Sequence, residues 1–397
     1  SFLKKVSKLY FIDASYNSLK KYNEELCGDS IKQANLKDSK IFVLADGLGS
    51  GVKANILSTL TANIALTMLR EGATLEETID TIVHTLPVCR QRHLAYSTFT
   101  LIKIYRNGDT YVAEFDNPSI FLHKDGRDIP IEKTLRVIGD KNIYESRFKM
   151  DKDTMLVAVS DGVVHAGVGH SLDLGWEWVN VNSYLRNMSK DDVSTKEVVS
   201  NVLDCCSELY EDEPGDDTSV LAVKIKEQQV INLFFGPPRD RKNDTEVFQK
   251  VLKSGEKVVV CGGTTAQIAA RLLDREMEFD MDTMTMDIPP IAKIEGIELV
   301  TEGVITLSKA IDILREYVRP DYNPRLESRL HENNAASMLA RLLIEDCDGV
   351  KIYQGTAINP AHQDLAFKMD FVYKINQMNE FKSLLEKMGK DVEVTYI

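Results

Sequence analysis

The stretch from Ile41 to Leu69 constrains this chain more than any other. An apolar run, Ile41-Phe42-Val43-Leu44-Ala45, leads into Asp46-Gly47-Leu48-Gly49-Ser50-Gly51, and an amphipathic segment, Ala54 to Leu69, follows. That order reads as buried strand, tight glycine turn and helix. It sets a carboxylate at the end of a strand, and glycines beside it let the backbone pass close to whatever the carboxylate holds. Ala54, Leu57, Thr61, Ile64 and Met68, at three- and four-residue spacing, are expected to form one face of the helix. Its first N–H groups, near Asp46, are expected to offer a place for an anion. Two more acidic stretches adjoin apolar runs: Val157-Ala158-Val159-Ser160-Asp161-Gly162, and Asp216-Asp217 ahead of Thr218-Ser219-Val220-Leu221-Ala222-Val223. Each aspartate alone is as readily a turn or helix cap. Together, carboxylates at three strand ends suit hard divalent cations, which prefer oxygen ligands.

The bulk properties narrow the classes. A chain of 397 residues suggests two or three domains, and 43% hydrophobic residues are enough for full cores. A net charge of −13 argues against a nucleic-acid surface. The six cysteines form no C-x-x-C pair, and Cys205 and Cys206 are adjacent; this fits neither a disulfide framework nor a zinc site and suggests reduced thiols in a cytoplasmic protein. No apolar run approaches the ~20 residues of a membrane helix, and the start, Ser1-Phe2-Leu3-Lys4-Lys5, lacks a signal-peptide core.

Leu9 to Ile12 is expected to be the first strand and Asn17 to Leu26 a loop. A second helix is expected from Ala73-Thr74 to about Leu86, stopping at Pro87. A β-rich block follows: Ser97 to Tyr105, the Asn107-Gly108 turn, Thr110 to Phe115, Ile120 to His123, and Thr154 to Ser160. Gly167, Gly169 and Gly175 suggest a loop, and a helix is expected over Thr195 to Leu209. The polar break Lys226-Glu227-Gln228-Gln229 marks the expected boundary between residues 1–227 and residues 228–397. Beyond it strands and helices alternate: strands Val230–Phe235, Lys257–Cys261, around Ile297–Val300, and Val350–Tyr353; helices Thr245–Leu252, Ala266–Leu273, Leu307–Tyr317, Asn334–Ile344 and Asn376–Met388. The pattern predicts a smaller α/β domain; Asp280 to Pro290 is not assigned.

The order Gly28-Asp29-Ser30, Asp46-Gly47-Leu48-Gly49-Ser50-Gly51, Ser160-Asp161-Gly162-Val163, Asp216-Asp217-Thr218-Ser219-Val220 resembles the metal-dependent protein phosphatase 2C superfamily. Within it, residues 1–227 are similar to the bacterial branch named for stage II sporulation protein E. The resemblance implies an α+β fold, a four-layer α-β-β-α sandwich of two antiparallel sheets flanked by helices. It implies serine/threonine phosphoprotein hydrolysis by water activated between two Mn2+ or Mg2+ ions. By motif match Asp46 would bridge the ions, Gly47 would lend its carbonyl, and Asp161 and Asp216 would be ligands; Asp29 matches a further acidic position. Relatives act on anti-sigma-factor antagonists of the STAS type, so such a phosphoprotein is the expected partner; the reading admits a homodimer and includes neither nucleic acid nor membrane. The chain departs from the branch at Leu48, where Met is usual, and at His165, where an acid is usual. No arginine near Asp29 takes the phosphate-binding role of eukaryotic members; Lys53 or the Ser50 and Gly51 N–H groups could substitute.

No family is recognised in residues 228–397. Cys261-Gly262-Gly263-Thr264-Thr265 lies between strand and helix and could cradle a phosphate, or be an ordinary turn; it has neither G-x-G-x-x-G nor G-x-x-x-x-G-K-[ST]. His331-Glu332-Asn333-Asn334-Ala335 misses the H-E-x-x-H pattern, His362 reads as structural, Asp217 as a supporting or solvated group, and Cys205-Cys206 as core. The expected function is a two-metal phosphoprotein phosphatase fused to a regulatory or ligand-sensing domain. The alternatives are a phosphatase-like binding module and a second domain that senses a small phosphorylated ligand.

Overall fold

The computed structural model describes residues 9–85, 88–89, 94–95, 97–237, 241–319, 324–356 and 365–397. The chain forms two compact units, residues 1–227 and 228–397. In the first, strands β1 (Tyr10–Leu19), β2 (Asp29–Asn35) and β3 (Ser39–Gly47) precede helices α1 (Gly51–Arg70) and α2 (Leu75–Thr85). A two-residue pair, β4 (Val88–Cys89) and β5 (Leu94–Ala95), leads to β6 (Ser97–Tyr105), β7 (Asp109–Phe115), β8 (Phe121–Lys124), β9 (Arg127–Asp128), β10 (Thr134–Ile138), β11 (Lys141–Lys149) and β12 (Met155–Val159). Helices α3 (Asp161–Val164), α4 (Trp178–Met188) and α5 (Thr195–Leu209) precede β13 (Thr218–Glu227).

These strands form two antiparallel sheets, β1-β13-β12-β8-β9 and β10-β11-β7-β6-β3-β2. Side chains alternate between the faces of a strand, and the sequence obeys this strictly. In β3, Ile41, Val43 and Ala45 face α1 and α2, while Phe42 and Leu44 face the other sheet. In β12, Met155, Val157 and Val159 face α4 and α5, while Leu156 and Ala158 face inward. The result is helices, sheet, sheet, helices, the α+β sandwich expected from the sequence. Three apolar layers bind it, and burial of each large side chain contributes roughly 1.5–3 kcal/mol.

Several local expectations are corrected. β1 runs through Leu19 where a loop was expected from Asn17, because all ten residues pair with β13. The chain from Trp178 to Met188 is helical, starting after Glu177 at φ 65. Lys141–Lys149 adds a strand that the sequence did not reveal. Of the residues expected to form the buried face of α1, Ala54 and Thr61 are buried but Leu57, Ile64 and Met68 are only partly so. Ser58, Ala62, Ala65, Leu66 and Leu69 complete the buried face, since small residues let the helix lie close to the sheet. By length and composition α1 could span a membrane, but it packs this face on β3, β2 and β6. α2 ends at Thr85, and Leu86 and Pro87 lie outside the described residues.

The second unit contains β14 (Val230–Phe235), α6 (Arg241–Lys253), β15 (Lys257–Cys261), α7 (Gly263–Leu273), β16 (Glu278–Asp280), β17 (Ile291–Lys293) and β18 (Leu299–Thr301). α8 (Val304–Tyr317), α9 (Pro324–Leu330), α10 (Ala335–Glu345), β19 (Gly349–Gln354), α11 (Leu365–Lys387) and β20 (Asp391–Tyr396) complete it. Its sheet order is β16-β17-β18-β15-β14-β19-β20. The strands β18, β15, β14, β19 and β20 are mutually parallel, and β16 and β17 add an antiparallel edge. One apolar cluster lies on each face of this sheet. The α/β expectation therefore holds; β20 and α9 are additions to it, and α11 begins eleven residues before the expected Asn376. The unassigned Asp280–Pro290 holds the end of β16, a short 3-10 turn at Met281–Thr283 and a loop.

Phe42 is fully buried between the two sheets of the first unit. Phe42→Ala is expected to cost about 3–5 kcal/mol, read as a lower denaturant midpoint for the first unit with unchanged secondary structure in native buffer.

Candidate metal centre

Alternation in β3 decides where Asp46 points. Phe42 and Leu44 face the opposite sheet, so Asp46 continues that row at the rim of the inter-sheet core. β2 pairs with β3 in a register that sets Asp29 directly opposite Asp46. The other sheet ends at the same rim: β12 runs into Ser160 and Asp161, and its neighbour β13 starts just after Asp216 and Asp217. Four of the aspartates singled out from the sequence, Asp29, Asp46, Asp161 and Asp216, thus come within electrostatic reach of one another.

Their electrostatics follow from crowding. Burial, then the charges of Asp29, Asp161 and Asp216, push the Asp46 carboxyl well above the usual carboxylate range. Burial also lifts Asp29, against hydrogen bonds from Ser219 and Ser160 that favour its ionised form. Burial and Asp161 raise Asp216. Like charges facing each other across a ladder destabilise it unless a proton or a cation intervenes.

The residues fit hard cations. Every donor is an oxygen, and the buried Oδ1 atoms of Asp29 and Asp161 have no hydrogen-bond partner. At Gly47 a Cβ would stand 2.0 Å from the Ala54 carbonyl oxygen, so only glycine lets α1 pack this close to the end of β3. Among the described residues no three acidic, histidine or cysteine side chains are grouped tightly enough to hold one ion as they stand.

Four further residues support the pocket. The Ser219 hydroxyl donates to Asp29 Oδ2 at 2.6 Å, across the gap between the sheets. The Ser219 N–H donates to Ser160 Oγ at 2.9 Å. Both serines sit on the inward-facing rows of β12 and β13, and that parity is the signal that would have found them. Asp217 is buried, and its Oδ1 accepts the Lys21 N–H at 3.0 Å, so it anchors the chain before β2 and is not solvated. The Lys21 charge lowers the pKa of Asp216 against the larger upward effect of burial.

An internal acid stands at the N-terminus of α1: the Ser50 hydroxyl donates to Glu24 Oε1 at 2.6 Å, and the same carboxylate lies against Gly51. An internal acid meets the positive end of the helix there. Lys53 is exposed on the first turn of α1. In the second unit, Cys261 and Cys347 are buried. Cys206 is core in the first, with burial raising its thiol pKa. His362 lies outside the described residues.

A search of the curated proteins finds no match to this chain. Among solved structures, the phosphatase domain of the cell-fate determinant SpoIIE from Bacillus subtilis is similar at 16% identity and a TM-score of 0.42, over 55% of this chain and 94% of that one. The SiaA PP2C domain of Pseudomonas aeruginosa is similar at 18% identity and a TM-score of 0.42, over 53% of this chain and 85% of that one. RsbX in complex with magnesium is similar at 18% identity and a TM-score of 0.40, over 54% of this chain and 96% of that one. Residues 37–226 match the family model of stage II sporulation protein E. Most of the first unit is thus similar to the phosphatase domain described by the stage II sporulation protein E family model.

Proposed function

We propose that residues 1–227 form a metal-dependent serine/threonine phosphoprotein phosphatase, and that residues 228–397 regulate it or sense a ligand for it. What supports the reading is the meeting of Asp29, Asp46, Asp161 and Asp216 at the rim of the inter-sheet core. In this reading Asp46, Asp161, Asp216 and Asp29, with the carbonyl of Gly47, would hold two Mn2+ or Mg2+ ions. The ions would supply an activated water and Lewis-acid stabilisation of the phosphoryl oxygens.

The protein groups have separate tasks. Ser219 holds the Asp29 carboxylate in one orientation through its 2.6 Å hydrogen bond, as supporting groups do for metal ligands generally. Asp217 ties Lys21 to the start of β13. The pocket is lined by carboxylates, so a phosphoryl group is repelled until cations occupy it. Catalytic competence therefore depends on divalent cation before it depends on substrate. The proposed substrate is a phosphorylated signalling protein of a bacterial cytoplasm, with a STAS-type anti-sigma-factor antagonist as the first candidate.

One observation favours a second reading, a phosphatase-like binding module. As they stand, the acids of the described residues are not grouped as ligands of one ion. The two readings separate on turnover. The first expects Mn2+-dependent hydrolysis of p-nitrophenyl phosphate, lost on chelation; no hydrolysis with any divalent metal would leave the module.

Asp46→Asn is expected to lower Mn2+-dependent turnover by about 100-fold or more, because several kcal/mol of transition-state stabilisation are removed. Undiminished turnover would refute the role of Asp46. In chelator the same variant is expected to melt higher than the parent, since it removes a buried acid from a crowded group; it should also lose the thermal shift that Mn2+ gives the parent. Ser219→Ala is expected to weaken the Mn2+ dependence of activity by about 10-fold or more while turnover at saturating Mn2+ changes less. Metal titration of the rate separates the two effects.

A further inference from the structure

In the second unit the parallel strands lie in the order third, second, first, fourth, fifth by chain position: β18, β15, β14, β19, β20. In open sheets of this type ligands bind outside the carboxyl ends of the strands. At that end a glycine follows directly on β14, β15 and β19 (Gly236, Gly262 and Gly355), and Gly303 follows β18 by two residues. The loops they begin touch one another: a Cβ on Gly303 would lie 3.5 Å from the Gly262 Cα, and one on Gly355 would lie 2.2 Å from the Pro237 carbonyl oxygen.

Of the helices that follow these strands, α7 and α8 differ at their N-termini. The N-terminus of α8 is filled by the chain itself: the N–H groups of Val304, Ile305 and Thr306 all donate to the Glu302 carboxylate, at 3.1, 2.9 and 3.3 Å. The N-terminus of α7 has no side-chain cap and no acid in its first turn. The space in front of Gly263 is open, with no atom within 4 Å of where its Cβ would stand. Free N–H groups and the helix dipole make such an end attractive to anions.

Buried groups point to a ligand independently. The Thr265 hydroxyl is fully buried and has no hydrogen-bond partner. It is directed back at the loop, its Oγ1 lying 3.4 Å from the position of a Gly262 Cβ while its own Cβ lies at 4.0 Å. Two more buried polar atoms without partners belong to the same end of the sheet: Thr306 Oγ1 in the first turn of α8, and Gln354 Oε1 at the last residue of β19. An unpaired buried polar group is costly, so the Thr265 hydroxyl marks a place completed by something polar from outside. Cys261, at the foot of the loop, is fully buried and its thiol is pushed up to about 11, foremost by burial, so the loop is suited to binding and not to thiol chemistry.

We propose that the Gly262-Gly263-Thr264-Thr265 loop at the start of α7 binds the phosphoryl group of a small ligand, on the N–H groups of the first helical turn and the Thr265 hydroxyl. The organic part of a phosphate monoester would lie over the carboxyl ends of β14 and β15. This site is independent of the acidic pocket in the first unit and stands whether or not that pocket turns over a phosphoprotein.

The test is calorimetric titration of the full chain in chelator, which keeps cation-dependent phosphate binding in the first unit silent. The probes are inorganic phosphate, ribose 5-phosphate and ribose. The expected result is binding of ribose 5-phosphate and not of ribose; equal affinity for inorganic phosphate would make free phosphate the ligand. Gly263→Asp has room for its side chain and places an internal carboxylate where the phosphoryl group would sit. It is expected to weaken binding at least tenfold while the melting temperature holds or rises. Thr265→Val keeps the shape of the side chain and is expected to weaken binding about tenfold through loss of a hydrogen bond to a charged group. Absence of binding by either phosphate probe, or binding untouched by Gly263→Asp in a chain that melts normally, overturns the proposal.

Discussion

Two carboxylates facing each other across one β ladder govern the first unit. Asp29 and Asp46 are cross-strand partners, and the core that holds them is made of residues such as Phe42, Leu44, Leu221 and Val223. A sheet left to itself would avoid this pairing, because like charges directly opposite each other raise its energy. The register is nevertheless fixed, since a slip by one residue would turn the apolar row of β3 out of the inter-sheet layer. The hydrophobic alternation of the strands therefore forces the acids together against that electrostatic cost.

Much of the first unit could be read from its residues. Helix α5 coincides with its expected span because periodic apolar positions sit behind a capping box, Ser194 with Glu197. Strand β3 and the Asp46 turn were legible for the same reason: apolar residues in a row, then glycines. What escaped was set by partners elsewhere in the chain. β11, Lys-Asn-Ile-Tyr-Glu-Ser-Arg-Phe-Lys, buries only Ile143 and Ser146 and owes its strand conformation to pairing with β7 and β10. The outward face of α1 carries Val52, Ile56 and Leu60, so apolar spacing alone did not fix the limits of its buried face.

The acids of the pocket were legible and their supports were not. Asp46, Asp161 and Asp216 each abut an apolar strand, a pattern visible along the chain. Ser219 and Ser160 matter only because two strands far apart in sequence become neighbours. Glu24 sits in a stretch too polar to suggest any task, and its place at the head of α1 depends on the path of the chain between β1 and β2. In the second unit strand and helix types were legible from apolar runs, while the strand order that sets its glycine loops side by side is a property of the fold alone.

The first unit closes its inner sheet with the strand that begins the unit, since β1 lies against β13 along its whole length. During synthesis β1 emerges from the ribosome long before its partner exists. Its unpaired edge, and the row of β13 neighbours that will cover Ile12 and Tyr16, must wait until the unit's final strand has left the exit tunnel. The second unit follows at once, so the nascent chain is still tethered when that long-range pairing forms, and a slow, late step of this kind exposes strand edges to other chains.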